Sequence, residues 1–156
     1  MVLLSREVLK GILSMENLNV TFRTLIFKEG EKANKLFIIK SGEVLCLKST
    51  KDRLIPVFLA KEGDIIGESA MIHESDYTYS AISMANSELF EITSFSFKQV
   101  FGKAPDWILN LVQTMVSRFQ VTSSLVSENR IVHSSIISED RYSPEVEIDF
   151  KKLLDQ

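Results

Sequence analysis

Between Asn19 and Thr93 the chain breaks into short β-rich runs, Val20–Phe27, Leu36–Lys40, Glu43–Ser49, Leu54–Ala60, Tyr79–Ala85 and Glu88–Thr93, each bounded by turn residues. Many short strands at regular spacing point to a closed β-sandwich or jelly roll. Glycines fall between the runs at Gly30, Gly42, Gly63 and Gly67, where a tight turn or a close backbone approach excludes a Cβ.

Helical patterns flank this β-rich stretch. Ser5 is placed to cap a helix over Ser5–Ser14, whose Val8, Leu9, Ile12 and Leu13 share one face. A short helix is expected over Phe95–Phe101, and Pro105 suits the first turn of a long one whose 3.6-residue apolar spacing runs well past Val126. Ser143-Pro144 breaks the chain before a final short helix, Glu145–Leu154. The expected fold class is α+β: a β jelly-roll (double-stranded β-helix) sandwich with an N-terminal helix and a long C-terminal dimerisation helix. The division that follows is a β-roll over 1–103, the long helix over 104–137, and a tail with a short helix over 138–156.

Composition narrows the function. With 156 residues, 45% of them hydrophobic, the chain is expected to fold as one domain around its own core. Lys and Arg number 18 against 21 Asp and Glu, a net charge of −3 that gives no bulk attraction for nucleic acid or anionic membrane. Met1–Leu4 is too short for a signal peptide's apolar region, and no stretch of about 20 apolar residues occurs. The single cysteine, Cys46, lies in the apolar run Val44–Leu47 and reads as a core thiol in a reduced, cytoplasmic setting.

Catalytic constellations are missing from the sequence. A metal-dependent jelly-roll enzyme needs a cluster of histidines with a carboxylate, and only His73 and His133 exist, far apart. No Gly-x-Ser-x-Gly elbow appears. The expectation is a protein that is not an enzyme and has no resident cofactor or metal.

Three segments, Leu25–Ala33, Ile39–Val44 and Glu62–Glu68, resemble in order and spacing the cyclic-nucleotide-binding domain of the catabolite activator family. The likeness spans about Leu18 to Val126 and includes Arg118–Ser123 on the long helix. It implies a phosphate cassette from Gly67-Glu68-Ser69-Ala70-Met71 through Ser80-Ala81-Ile82, with Thr78 inside it. Ser69 to Met71 would open a short helix whose free N–H groups meet the anion. Glu68 matches the acceptor for the ribose 2'-hydroxyl, Ser80 the hydroxyl supporting the phosphate, and Thr122 with Ser123 the positions that meet the base. Glu68 also reads as a loop-end carboxylate, Ser80 as a strand residue, and Thr122 and Ser123 as polar positions on an exposed helix.

The departure from the family is assigned to Tyr77, set where the resemblance calls for the arginine that pairs with the phosphate. A phenol offers one neutral donor in place of a bidentate, charge-assisted pair, and Glu74 and Asp76 add negative charge nearby. Arg118 is a candidate partner for Glu68. The resemblance also implies a DNA-reading helix-turn-helix beyond the long helix, whereas the segment here carries one short helix with adjacent Lys151 and Lys152. The expectations are therefore no DNA and no membrane contact, a protein partner, and a cyclic nucleotide bound weakly or lost. The alternative is a working sensor of cAMP, cGMP or another nucleotide through altered phosphate contacts. A homodimer is expected along a heptad seam of Ile108, Val112, Met115, Phe119, Thr122, Val126 and Asn129, continuing to His133 and Ile136.

Overall fold

A computed structural model of the chain describes residues 15–156; the helix expected over Ser5–Ser14 lies outside the described residues. The run expected as one strand over Val20–Phe27 is two, β1 (Glu16–Val20) and β2 (Leu25–Phe27). Arg23, at φ 61°, turns the chain between them. Thereafter follow β3 (Lys35–Ser41), β4 (Glu43–Ser49), β5 (Leu54–Lys61), β6 (Ile65–Ile66), α1 (Glu68–His73), β7 (Ser80–Ser83), β8 (Ser87–Thr93), α2 (Ser94–Phe101), α3 (Asp106–Glu128) and α4 (Pro144–Leu154).

The strands form two four-stranded antiparallel sheets, ordered β1-β8-β3-β6 and β2-β7-β4-β5. Between the sheets lies a core of Phe27, Phe37, Ile39, Val44, Cys46, Ile66, Tyr77, Tyr79, Ala81 and Leu89. This is the expected jelly-roll sandwich. Gly42 is fixed by the corner between β3 and β4: its φ is +91°, and a Cβ there would come within 2.1 Å of the Ser87 hydroxyl oxygen.

Both sheets are covered on their outer faces as well. Leu36 and Ile92 pack with Met71 of α1 and Phe97 of α2. On the other side Leu45, Leu47 and Ile82 pack under Tyr142 and, from α4, Phe150 and Leu154. Ser143 caps α4 by accepting the Val146 N–H, with Pro144 in the first turn. Glu147 of α4 anchors it to β5: its carboxylate accepts the Leu54 N–H at 3.0 Å and Arg53 Nε at 2.9 and 3.1 Å, and meets Lys151 at 3.0 Å.

The long helix departs from expectation at its end. It stops at Glu128, where Asn129 caps it through its backbone N–H and side chain, both donating to Leu125, and Arg130 reverses the chain at φ 57°. His133 and Ile136 are therefore not on α3, and Ile136 packs instead into the apolar layer beneath α4.

Candidate functional site

β6 delivers Gly67 at φ +80° as the residue before α1, a conformation strained for any side chain, and a Cβ there would also crowd the Tyr77 ring at 3.2 Å and the Lys35 carbonyl oxygen at 3.3 Å. The Gly67 N–H donates to the Tyr79 hydroxyl oxygen at 2.8 Å, and that hydroxyl donates to Glu68 Oε2 at 3.1 Å. Tyr79 thus bridges the two residues that open the cassette. Its ring is held between Phe27, 5.6 Å away, and Phe58, 5.2 Å away and nearly perpendicular. Phe58 in turn meets Phe119 of α3 at 5.6 Å.

Around Gly67 and Glu68 the titratable groups are acidic or neutral. Burial pushes the Glu68 carboxyl above its ordinary value, outweighing hydrogen bonds from its own N–H, the Tyr79 hydroxyl and the Ser69 N–H. Burial, with Cys46 and Glu68 nearby, raises the Tyr79 phenol well above its usual range, and burial next to Glu68 and Asp64 does the same to the Cys46 thiol. Cys46 is fully buried in the inter-sheet core and stays a neutral thiol. Arg118 is exposed, and among the described residues no cation pairs with Glu68.

The other residues singled out in the sequence divide into those that join the cassette and those that do not. Ser69 is buried and its hydroxyl lies 3.2 Å from that of Thr78, while Ala70 packs in the core. Tyr77 stacks on Phe27 at 4.1 Å and donates its hydroxyl to the Lys35 carbonyl at 2.7 Å. Its ring packs against Gly67, but its hydroxyl is committed to β3. The phenol that faces Glu68 belongs to Tyr79, while that of Tyr77 is turned to β3. Ser80 is buried and accepts the Glu29 N–H at 2.9 Å. Thr122 is exposed and Ser123 buried, and each donates back to its own helix, to Arg118 and Gln120 carbonyls.

Tyr79, Phe58 and Lys48 escaped the sequence reading. Lys48 donates to the Thr78 carbonyl at 2.7 Å and lies 3.5 Å from Glu29, so a cation does stand behind the cassette, already paired.

On α3 the predicted seam mixes two faces. Ile108, Val112, Phe119 and Val126 are half-buried, Phe119 against Phe58 of the roll, whereas Met115 is 62% exposed and Thr122 is also exposed. The solvent face carries Trp107 (67% exposed), Leu111, Met115, Val121 and Leu125. Asn129 caps the helix at its end.

Fold and cassette together define a jelly-roll domain with a glycine-opened turn between β6 and α1. The profile of the cyclic nucleotide-binding domain matches residues 19–104, and the chain belongs to that family. The cAMP-activated global transcriptional regulator CRP of Salmonella typhimurium is 29% identical over 106 residues, 67% of this chain and 50% of that one. A cAMP-dependent protein kinase regulatory subunit of Pyricularia oryzae is 27% identical over 79 residues, 51% of this chain and 20% of its own. The chain spans about half the length of the CRP relatives it matches. Both relatives are regulators by name.

Solved structures agree on the fold. The cAMP-bound EAL enzyme Bd1971 superposes with TM-score 0.66 at 21% identity over 73% of this chain and 30% of that one. The regulatory domain of Toxoplasma gondii PKA with cAMP gives 0.62 at 20% identity over 73% and 44%. The sensor domain of the transcriptional regulator DNR from Pseudomonas aeruginosa gives 0.59 at 19% identity over 70% and 74%. No helix among the described residues is long and apolar enough to cross a membrane.

Proposed function

We propose that this chain is a non-catalytic, cytoplasmic signalling module whose own aromatic side chains fill the nucleotide site, so that cAMP binding is weak or lost and the output is contact with a protein partner. The reading rests on the Tyr79 hydroxyl, which takes the Gly67 N–H and the Glu68 carboxylate that a ligand would otherwise engage. A phosphate entering here would meet Glu68 without a counter-charge, a desolvation cost with no compensating pair. The exposed apolar face of α3 supports a homodimer, and the net charge of −3 argues against DNA as the partner.

Calorimetric titration of the wild-type protein with cAMP tests this reading. No binding, or binding only at high micromolar concentration, is expected. Tyr79→Arg, where it folds, gains roughly ten- to a hundredfold, the worth of a hydrogen bond to a charged group. Low-micromolar cAMP binding by the wild type would overturn the proposal. In that event Lys48, behind the Ser69–Thr78 hydroxyl pair, favours the second reading of a working sensor with altered phosphate contacts, and Lys48→Met should then abolish binding.

A further inference from the structure

Beside the Tyr79 bridge opens a cleft of about 320 Å³ lined by Phe58, Leu59, Asp64, Ile65, Glu68 and Phe119. We infer that this cleft is a binding site for a small organic cation, an ammonium group carried on an apolar body. The inference rests on the reading that no nucleotide phosphate takes the site, and it names what the site is built to accept instead.

Charge comes first. The lining holds two carboxylates and no lysine, arginine or histidine, and among the described residues neither Asp64 nor Glu68 is in an ion pair. Glu68 is half-buried, with one oxygen taken by Tyr79, so it bears the desolvation of a buried anion with no cation to offset it. Asp64 is exposed at the rim and accepts the Lys61 N–H at 2.8 Å. A cation entering the cleft would supply the charge that both lack.

The walls specify the rest of the ligand. Phe58 and Phe119 meet edge to face at 71° as one aromatic patch of the wall, and Leu59 and Ile65 complete an apolar lining. Aromatic rings attract ammonium groups through their quadrupole and pack apolar bodies through area. A hard metal ion is disfavoured, because such ions want six or more oxygens and no metal-holding group of residues occurs among those described. The volume is at the low end for ligand pockets, about 300–1,000 Å³, which suits a single ring with a short amine.

The test uses 2-phenylethylammonium as probe and its neutral isostere 2-phenylethanol as control, followed by amide chemical shifts of the whole chain. Saturable shifts at Phe58, Ile65 and Glu68 are expected with the ammonium, weakened on the order of tenfold in Glu68→Gln, the equivalent of one charge-assisted contact. Asp64→Asn should give a smaller loss and a reduced salt dependence. Equal binding of the neutral alcohol, full affinity in Glu68→Gln, or shifts confined to another surface would each overturn the inference. These outcomes are separate from the cAMP titration: tight cAMP binding sinks the proposed function, whereas indifference to ligand charge sinks only the cation site.

Discussion

Phe119 on α3 meets Phe58 on β5 at 5.6 Å with their planes 71° apart, and this contact decides which side of the long helix faces the roll. Once Phe119 is turned inward, Val112 and Val126, a heptad away on either side, turn with it. Left outside are Trp107, Leu111, Met115, Val121 and Leu125.

It follows that the two faces separate by mutation. Leu111→Glu and Met115→Glu should give a monomer at micromolar concentration in sedimentation velocity, with an unchanged far-ultraviolet circular dichroism spectrum. Phe119→Ala should instead lower stability by about 2–3 kcal/mol in chemical denaturation, since the aromatic ring is half-buried in its own domain. A dimer that survives Met115→Glu and Leu111→Glu would reject the outer-face assembly.

Tyr77 and Tyr79 should respond differently to arginine. Tyr77 is 6% exposed, stacked on Phe27 and bonded to Lys35, so Tyr77→Arg buries a guanidinium without a partner and costs about 3 kcal/mol or more, with no gain in cAMP affinity. Urea denaturation and calorimetry read the two effects independently. A stable Tyr77→Arg protein with improved cAMP binding would show that Tyr77 holds the arginine position.

The raised carboxyl of Glu68 makes a signed prediction for pH. Its folded pKa lies above the ordinary value of 4.5, so the folded state favours the protonated form, and its contribution is lost as pH rises through the folded pKa. Glu68→Gln, which stays neutral, should therefore be more stable than wild type at pH 7, with the difference fading as both are taken down toward pH 4. Parallel denaturation curves across that range check it, and a constant difference at every pH would count against it.

Glu147 runs the opposite way. Burial works against its charge, but the Leu54 N–H, Lys151 and Arg53 overcome it and hold the carboxyl below 4.5. Its stabilisation is present above that value and lost as pH falls through the depressed pKa. Glu147→Gln should cost about 2–4 kcal/mol at pH 7, because it leaves Arg53 and the Leu54 N–H poorly matched. Amide exchange at Leu54 and in α4 should quicken together, and unchanged exchange in α4 would show that Glu147 is not its anchor.

The β-rich runs were legible because turn residues bound them, and Glu43–Ser49 was read to its ends. The break at Arg23 was not, since a non-glycine residue at positive φ leaves little trace in a sequence. Val44-Leu45-Cys46-Leu47 read as an uninterrupted apolar run, and the structure supplies the reason: Val44 and Cys46 face the inter-sheet core while Leu45 and Leu47 face α4. Gly67 and Glu68 mark the cassette in the sequence, but the Tyr79 hydroxyl that joins them leaves no such mark, because Tyr79 lies in the irregular segment before β7, where no side-chain periodicity applies. The seam on α3 meets a second ambiguity. Two apolar stripes, one for the roll and one for solvent, lie close enough on the helix that spacing alone joins them.

The cover that α4 places over Leu45, Leu47 and Ile82 has a consequence for synthesis. Those side chains leave the ribosome well before Phe150 and Leu154, so a nascent chain can assemble both sheets and still present a bare, strand-rich apolar surface to its neighbours. Translation that stalls before α4 would release a species with a formed sandwich and a sticky exterior, a ready substrate for chaperones or for coaggregation.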